Sequence, residues 1–151
     1  MGTHASRYTD KTGKDFEYFC EELLSAAGYD VEEQINIGLR PTDTAHNVDL
    51  IVSVGTVQTI VSLKYQDVNG TAEEKIPYEQ ICLQHACETY GYTNALIVLA
   101  GPGWKHDECF RSNALSKWMN VPNTKVINFD EFLDEYNLWE TFLTLTDACA
   151  A

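Results

Sequence analysis

The sequence predicts an α/β domain built on a mixed β-sheet. Two runs rich in β-branched residues, 48–54 and 57–63, flank Gly55 and Thr56 and are typical of an antiparallel hairpin around a tight turn. An amphipathic segment follows the hairpin and leads to a short, continuous apolar run at 95–100, which indicates a helical crossover to a buried strand. A hairpin joined to a crossover gives a mixed sheet with helices packed against it.

The elements before the hairpin follow from local patterns. A helix is expected over residues 14–27, because apolar residues recur there every three or four positions with glutamates between them, and Gly28 ends it. Residues 29–37 alternate as a strand does. Residues 38–46 hold turn signals that lead into the hairpin.

The elements after the hairpin alternate between helix and strand. Pro77 is placed to open a helix whose body is 78–90 and which ends at Gly91. Three more elements are expected beyond the buried strand: a helix over 106–119, a strand over 125–129 and a terminal helix capped by Asp130 and reaching about residue 145.

Composition indicates one domain in a reducing, cytoplasmic environment. A chain of 151 residues that is 44% hydrophobic can bury one core, so 1–151 is expected to be a single domain with 1–12 as a polar, mobile arm. Five cysteines at irregular spacing favour free thiols. We expect no membrane association, because the sequence lacks both a long apolar run and a basic, apolar leader.

The charge balance argues against a broadly basic surface. Ten Lys plus Arg against 23 Asp plus Glu give a net charge of −13, whereas phosphate-binding proteins usually gain affinity from basic side chains. Net charge is not local charge, however, and a site that binds a divalent cation is itself acidic before metal binds. The few cations could therefore line one face while the acidic residues solvate the other.

Two charged residues interrupt the apolar strands of the hairpin. With the turn at Gly55, Asp49 lies opposite Ser62. Because side chains alternate along a strand, Lys64 shares the face of Ser62 and converges with Asp49. Such charges cost free energy unless they are paired, hydrated or bound to metal. A carboxylate for a divalent cation beside a lysine suits phosphodiester hydrolysis, and the structural alternative is an ion pair at the sheet margin.

This arrangement resembles the core of the PD-(D/E)XK nuclease superfamily, which has the restriction-endonuclease-like fold. The resemblance rests on five features: the helix with Phe16-Glu17, the strand with Asp49, the strand with Ser62-Leu63-Lys64, the helix near Pro77 and the strand at 95–100. It implies a catalytic core over roughly 13–103 and a C-terminal extension over 104–151.

The resemblance also implies roles for single residues. Asp49 would be the metal-binding aspartate, Lys64 the catalytic lysine and the backbone carbonyl of Leu63 a further metal ligand. Glu17 resembles a first-helix glutamate that many members, including Mrr-like and Holliday-junction-cleaving enzymes, add to the site. The alternative for Glu17 is the solvated face of an amphipathic helix.

The sequence departs from the family pattern at two places. Asn47 and Val48 precede Asp49 where a proline is expected. Ser62 occupies the position of the second acid, and a serine cannot supply a charged ligand. Some restriction enzymes of this superfamily carry the same Ser-x-Lys with the acid moved to the following helix, and Glu79 resembles that migrated acid and metal ligand.

Other residues remain alternatives to Glu79 as the replacement. Gln66 and Gln80 offer amides, and Glu73 and Glu74 offer carboxylates from the loop after the hairpin. Gln66 is a catalytic candidate that could also simply cap the strand end. Glu79 could instead belong to a solvated helix face.

The function that the resemblance implies is a magnesium-dependent DNA endonuclease, with Mn²⁺ as a substitute ion. It would be a restriction-type enzyme or a homing-type nuclease carried by a phage or mobile element. The alternatives are a structure-specific nuclease such as a Holliday junction resolvase, and a catalytically inactive binding module, which Ser62 and the net charge of −13 favour.

DNA contacts and assembly are expected from the same reasoning. The candidate DNA-contacting cations are Arg40, Lys75, Lys105 and Arg111, which occupy loops that can flank the substrate or lie close to them. Cutting both strands with a single small domain commonly needs two active sites. We therefore expect a homodimer or a higher even oligomer.

Overall fold

A five-stranded mixed β-sheet forms the centre of the computed structural model, which describes residues 13–68 and 70–150. The strands are β1 (Asp30–Leu39), β2 (Ala45–Val54), β3 (Val57–Tyr65), β4 (Asn94–Ala100) and β5 (Thr124–Asn128), in that spatial order. β1, β2 and β3 are antiparallel, whereas β3, β4 and β5 are parallel. The predicted mixed sheet is confirmed, and the predicted arm at 1–12 lies outside the described residues.

Helices flank the sheet in the predicted order. They are α1 (Gly13–Ala26), α2 (Lys75–Tyr90), α3 (Asp107–Arg111), α4 (Phe129–Glu135) and α5 (Trp139–Ala150), with 3-10 turns at Thr71–Glu74 and Ala114–Lys117. Pro77 lies in the first turn of α2, where its missing N–H breaks no intrahelical bond. Gly91 ends α2 with a φ of 81°, as a left-handed cap does.

The hairpin has the register that its turn residues predict. Val54 pairs with Val57 across the turn, and regular pairing continues to Leu50 and Val61. Gly55 has a φ of 60°, which explains why glycine suits the turn.

Two hydrophobic clusters lie on opposite faces of the sheet. One joins residues of α1 to Leu50 and Val61, and the other joins residues of α2 to Ile51 and Ile60. Residues 95–100 of β4 are buried throughout, as expected for a parallel strand covered on both faces. Because α1 and α2 cover opposite faces, a side chain of β2 or β3 meets one helix or the other, but not both.

The predicted extents of two helices in the C-terminal third are wrong. The helix expected over 106–119 is confined to Asp107–Arg111, because Asn113 adopts a φ of 59° and a 3-10 turn follows it. The terminal helix is two helices, separated at Asn137, which has a φ of 52°. Asparagine tolerates the left-handed region better than most residues, so these two positions end helices despite their apolar neighbours.

The cap of the terminal segment is Asn128 and not Asp130. The Asn128 side chain accepts a hydrogen bond from the Glu131 N–H at 2.8 Å, and the Glu131 carboxylate accepts one from the Asn128 N–H at 3.0 Å. This reciprocal pair is a capping box, and it starts α4 at Phe129.

The described residues contain no sign of a membrane span. Across 13–68 and 70–150, no helix has the length and apolar content needed to cross a bilayer. Within the same ranges Cys20, Cys82, Cys87 and Cys109 are free thiols. None of these four cysteines forms a disulfide.

Candidate active site

Asp49 lies at the point where the two strands of the hairpin stop pairing regularly. The β2–β3 register ends with Leu50 and Val61. Beyond it, the Leu63 N–H donates a hydrogen bond to Asp49 Oδ2 at 2.7 Å. The carboxylate therefore takes the place of a backbone acceptor, and this contact fixes its position against β3.

Gln34 of β1 distorts its strand beside Asp49. Its φ of 52° lies in the left-handed region, which is strained for a residue with a side chain. The register that pairs Ile35 with Val48 places Gln34 level with Asp49. From there, the Gln34 amide donates to Glu17 Oε2 at 2.9 Å. Sequence reasoning missed Gln34, since nothing in its local pattern signals the distortion.

Glu17 and Asp49 form a pair of neighbouring carboxyl groups. Burial raises the pKa of Glu17, and the charge and hydrogen bond of Asp49 raise it further, to about 7, although Lys14 opposes the shift. Lys14 Nζ lies 3.6 Å from Glu17 Oε2, and the Glu17 side chain is 22% exposed. Near neutral pH, the Glu17 carboxyl group can therefore carry a proton that a cation could replace.

This donor set fits a hydrated divalent cation. An open pocket of about 180 Å³ is lined by Glu17, Gln34 and Asp49, among others. Mg²⁺ is usually bound by one or two carboxylates and keeps several water ligands. In the part of the chain that the structure describes, no group of three or more His, Cys, Asp or Glu side chains comes together as a metal site. An ion here would depend on the two carboxylates with backbone oxygen and water.

The raised pKa of Glu17 predicts a pH dependence of metal binding and stability. Because an ion must displace the proton on Glu17, Mg²⁺ affinity should rise from about pH 5 to about pH 8. Without metal, the stability of the fold changes with pH in the opposite direction. Glu17 contributes stability that is fully present below its ordinary pKa of 4.5 and lost as the pH rises through about 7. Calorimetric titration and thermal unfolding at several pH values measure both effects. Glu17→Gln should flatten both curves; unchanged curves would assign the dependence to another group.

Lys64 pairs with Glu79 and not with the Glu17–Asp49 carboxyl pair. Its Nζ lies 3.3 Å from Glu79 Oε2 of α2, and no ion pair within 4.0 Å joins Lys64 to Asp49 among the described residues. The predicted convergence is therefore not a direct contact, because regular pairing ends before Asp49 and side-chain alternation is not maintained there. The two residues are linked through Leu63, whose N–H binds Asp49 and which precedes Lys64.

Glu79 connects Lys64 to a buried histidine. Glu79 Oε1 lies 3.3 Å from His46 Nε2. Burial by itself would raise the pKa of Glu79, but the His46 hydrogen bond and the Lys64 charge outweigh it and lower the pKa to about 2. Sequence reasoning missed His46. His46 lies two residues before Val48, which is buried on the α2 face, so side-chain alternation along β2 could have predicted that His46 is buried.

Two of the other proposed replacements for the second acid are hydrogen-bonded elsewhere. Glu73 accepts a hydrogen bond from the His106 N–H at 2.6 Å. Gln80 is buried and donates to Thr124 Oγ1 at 3.3 Å. Glu74 is exposed, and Ser62 is buried in β3. Of the acids considered from the sequence, Glu79 is the one whose carboxylate contacts Lys64.

Gln66 ties the end of β3 to the loop that follows β4. Its side-chain amide donates to the Gly103 carbonyl at 2.8 Å, and its carbonyl accepts from the Gly103 N–H at 2.8 Å. Its own N–H donates to the Ala100 carbonyl at 3.1 Å. These bonds give Gln66 a role in holding the loop, which agrees with the strand-capping alternative.

Replacing Gly101 with alanine is expected to destabilise this loop. Gly101 has a φ of 89°, and a Cβ there would lie 2.4 Å from the Gln66 carbonyl oxygen. We expect a loss of roughly 1–3 kcal/mol in the free energy of unfolding, measured with urea. Gly13→Ala is the control, because a Cβ at Gly13 meets nothing within 4 Å. Equal stabilities of the two variants would contradict the described loop.

The predicted DNA-contacting residues differ in how available their charges are. Lys75 at the start of α2 and Lys105 in the loop before α3 are exposed. Arg40 donates to a backbone carbonyl within its own turn. Arg111 forms ion pairs at 3.1 and 3.0 Å with carboxylates of α3 and α4, so its charge is already compensated. Lys75 and Lys105 are therefore the stronger candidates for phosphate contacts.

One of three comparisons with known proteins identifies a family. The family model of the PD-(D/E)XK nuclease superfamily domain matches residues 7–140. A search of curated proteins finds no significant match. A crystallised protein of unknown function, AF1548, is 8% identical with a TM-score of 0.49; the alignment covers 76% of this chain, which spans 57% of that protein. The family match extends over most of a chain whose mixed sheet and flanking helices are restriction-endonuclease-like, and the chain therefore belongs to the PD-(D/E)XK nuclease superfamily.

Proposed function

We propose that this domain is a magnesium-dependent DNA endonuclease. The observation that carries the proposal is the pairing of the Glu17 and Asp49 carboxyl groups beside the Leu63–Lys64 segment, in a member of a nuclease superfamily. A phosphodiester is negatively charged, so this acidic pair alone would repel it. A bound divalent cation would reverse that repulsion, which is why metal dependence is part of the proposal.

The proposed roles follow from the contacts of each residue. Asp49 and Glu17 would hold the ion, with the Leu63 carbonyl as a further oxygen ligand. When bound, the ion supplies positive charge to the phosphoryl oxygens and lowers the pKa of a coordinated water. The Leu63 N–H holds the Asp49 carboxylate in place. Lys64 would orient the attacking water or help to deprotonate it.

The proposed substrate is DNA, cut by a restriction-type or mobile-element enzyme, with Mn²⁺ able to replace Mg²⁺. Exposed Lys75 and Lys105 would contact phosphates. One site cuts one strand, so double-strand cleavage would need a second copy of the chain, and we propose a homodimer or higher even oligomer. Light scattering at the concentrations used for cleavage measures the assembly state.

Cleavage of duplex, branched and single-stranded DNA, with Mg²⁺ and with a chelator, tests the proposal. Metal-dependent cleavage of duplex DNA that is lost in Asp49→Ala would support it. Cleavage confined to branched DNA would favour a structure-specific nuclease such as a junction resolvase. A folded protein that binds DNA and cleaves none of the three would favour an inactive binding module. Cleavage that persists in chelator and in Asp49→Ala would overturn the proposed site.

A further inference from the structure

Both carboxylate oxygens of Glu79 are engaged by groups of the protein. Oε1 lies 3.3 Å from His46 Nε2, and Oε2 lies 3.3 Å from Lys64 Nζ. The Glu79 side chain is 19% exposed. An ionised carboxylate can only accept hydrogen bonds, so the ring nitrogen of His46 must be the donor. Glu79 is thus held from two sides, one on β2 and one on β3.

The His46 ring is buried, and its contact with Glu79 is made inside the protein. Its side chain is 1% exposed, and its Nδ1 has no hydrogen-bond partner among the described residues. Burying a polar atom without a partner costs free energy, which an apolar side chain at this position would avoid. The bond from Nε2 to Glu79 is the interaction that offsets this cost.

Glu79 lies on the α2 face, whereas the carboxyl pair of Glu17 and Asp49 lies on the α1 face. α2 belongs to the cluster that contains Ile51 and Ile60, and α1 belongs to the other cluster. Glu79 contacts the lysine and not the acidic pair. A role for Glu79 as a metal ligand, which its likeness to a migrated acid implied, therefore has no support in its contacts.

We propose that Glu79 and His46 are positioning residues for Lys64 and that neither binds the metal. This inference rests on the proposed nuclease function. A lysine has a flexible four-carbon stem, and one oxygen of Glu79 restricts its ammonium while leaving other N–H donors for water and phosphate. His46 fixes the Glu79 carboxylate so that this oxygen faces Lys64. The geometry thus orders the lysine before substrate arrives, which reduces the entropy lost in the transition state.

Metal titration separates the positioning role from a metal-ligand role. Mn²⁺ binding is measured by calorimetry for the wild-type protein, Glu79→Gln and Asp49→Asn. The Mn²⁺ Kd of Glu79→Gln should remain within about twofold of the wild-type value, while Asp49→Asn should lose at least about tenfold in affinity. If both variants lose affinity to the same extent, Glu79 is a metal ligand and the proposal is overturned.

Cleavage kinetics then test the positioning role itself. Glu79→Gln should lower kcat by about 10- to 100-fold with little change in the KM for DNA. Glu73→Gln and Glu74→Gln, normalised for folded protein, are the matched controls and should retain more activity. A Glu79→Gln variant as active as these controls would overturn the proposal.

His46 is tested with a conservative pair of variants. His46→Gln keeps an N–H donor close to the position of Nε2, whereas His46→Leu keeps the burial and removes the donor. We expect His46→Leu to lower kcat by about tenfold and His46→Gln to restore most of it, at unchanged Mn²⁺ affinity. Equal loss in both variants, or no loss in either, would contradict the positioning role.

A failure of this inference can be told from a failure of the proposed function. If the wild-type protein cleaves no DNA, the endonuclease proposal fails, but the Mn²⁺ titration still decides whether Glu79 binds metal. The side-chain NMR signal of the Lys64 ammonium gives a further readout that needs no activity. It should be sharp in the wild-type protein and broadened by exchange in His46→Leu and Glu79→Gln, with recovery in His46→Gln. Unchanged signals would overturn the proposal.

Discussion

Replacing Asp49 with asparagine is expected to reduce magnesium-dependent cleavage by roughly a thousandfold while stabilising the metal-free protein near pH 8. The asparagine oxygen can still accept the Leu63 N–H, so the local backbone contact is kept. The negative charge beside Glu17 is removed, so the repulsion that helps to raise the pKa of Glu17 disappears. Loss of activity with a gain in stability is the signature of a residue placed for function.

Initial cleavage rates and thermal unfolding without metal measure the two effects. Asp43→Asn is a matched control, because Asp43 is exposed in a turn and its φ of 62° suits asparagine. The control should change neither quantity. If Asp49→Asn lowers the melting temperature and leaves cleavage intact, Asp49 is a structural residue of the strand end.

Replacing Lys64 with methionine is expected to reduce the cleavage rate roughly a thousandfold and to spare metal-dependent DNA binding. Methionine keeps an unbranched apolar stem but has no ammonium group to orient water or contact the phosphate. Metal binding should persist, because Lys64 forms no ion pair with Glu17 or Asp49 among the described residues. The Glu79 carboxylate loses one partner but keeps the hydrogen bond from His46.

Fluorescence anisotropy with labelled DNA and Mg²⁺ measures binding, and single-turnover cleavage measures the chemical step. Lys125→Met is the control, because Lys125 is exposed on β5. Retained cleavage in Lys64→Met would remove the lysine from the mechanism. A loss of binding equal to the loss of cleavage would assign Lys64 to phosphate contact alone.

Much of the fold was predictable because it depends on short-range patterns. The β-branched runs around Gly55 specify the hairpin and its register, and the amphipathic spacing specifies α1 and α2. The C-terminal helices were less predictable. Asn113 and Asn137 leave the helical region of backbone space, a choice that depends on packing as well as on residue type.

The site shows where local patterns stop being sufficient. Pattern and spacing are enough to show that Asp49 and Lys64 interrupt apolar strands and that Glu17 and Glu79 lie on flanking helices. Which groups meet depends on the packing of the helices: Glu17 faces Asp49, while Glu79 faces Lys64 and His46. The physical reason is that regular pairing between β2 and β3 ends at Leu50 and Val61. On β2 the alternation breaks at Asp49, because Leu50 lies in the α1 cluster and Val48 in the α2 cluster, whereas β3 stays paired with β4 through Tyr65. Asp49 therefore meets Glu17 of α1, while Lys64 meets Glu79 of α2.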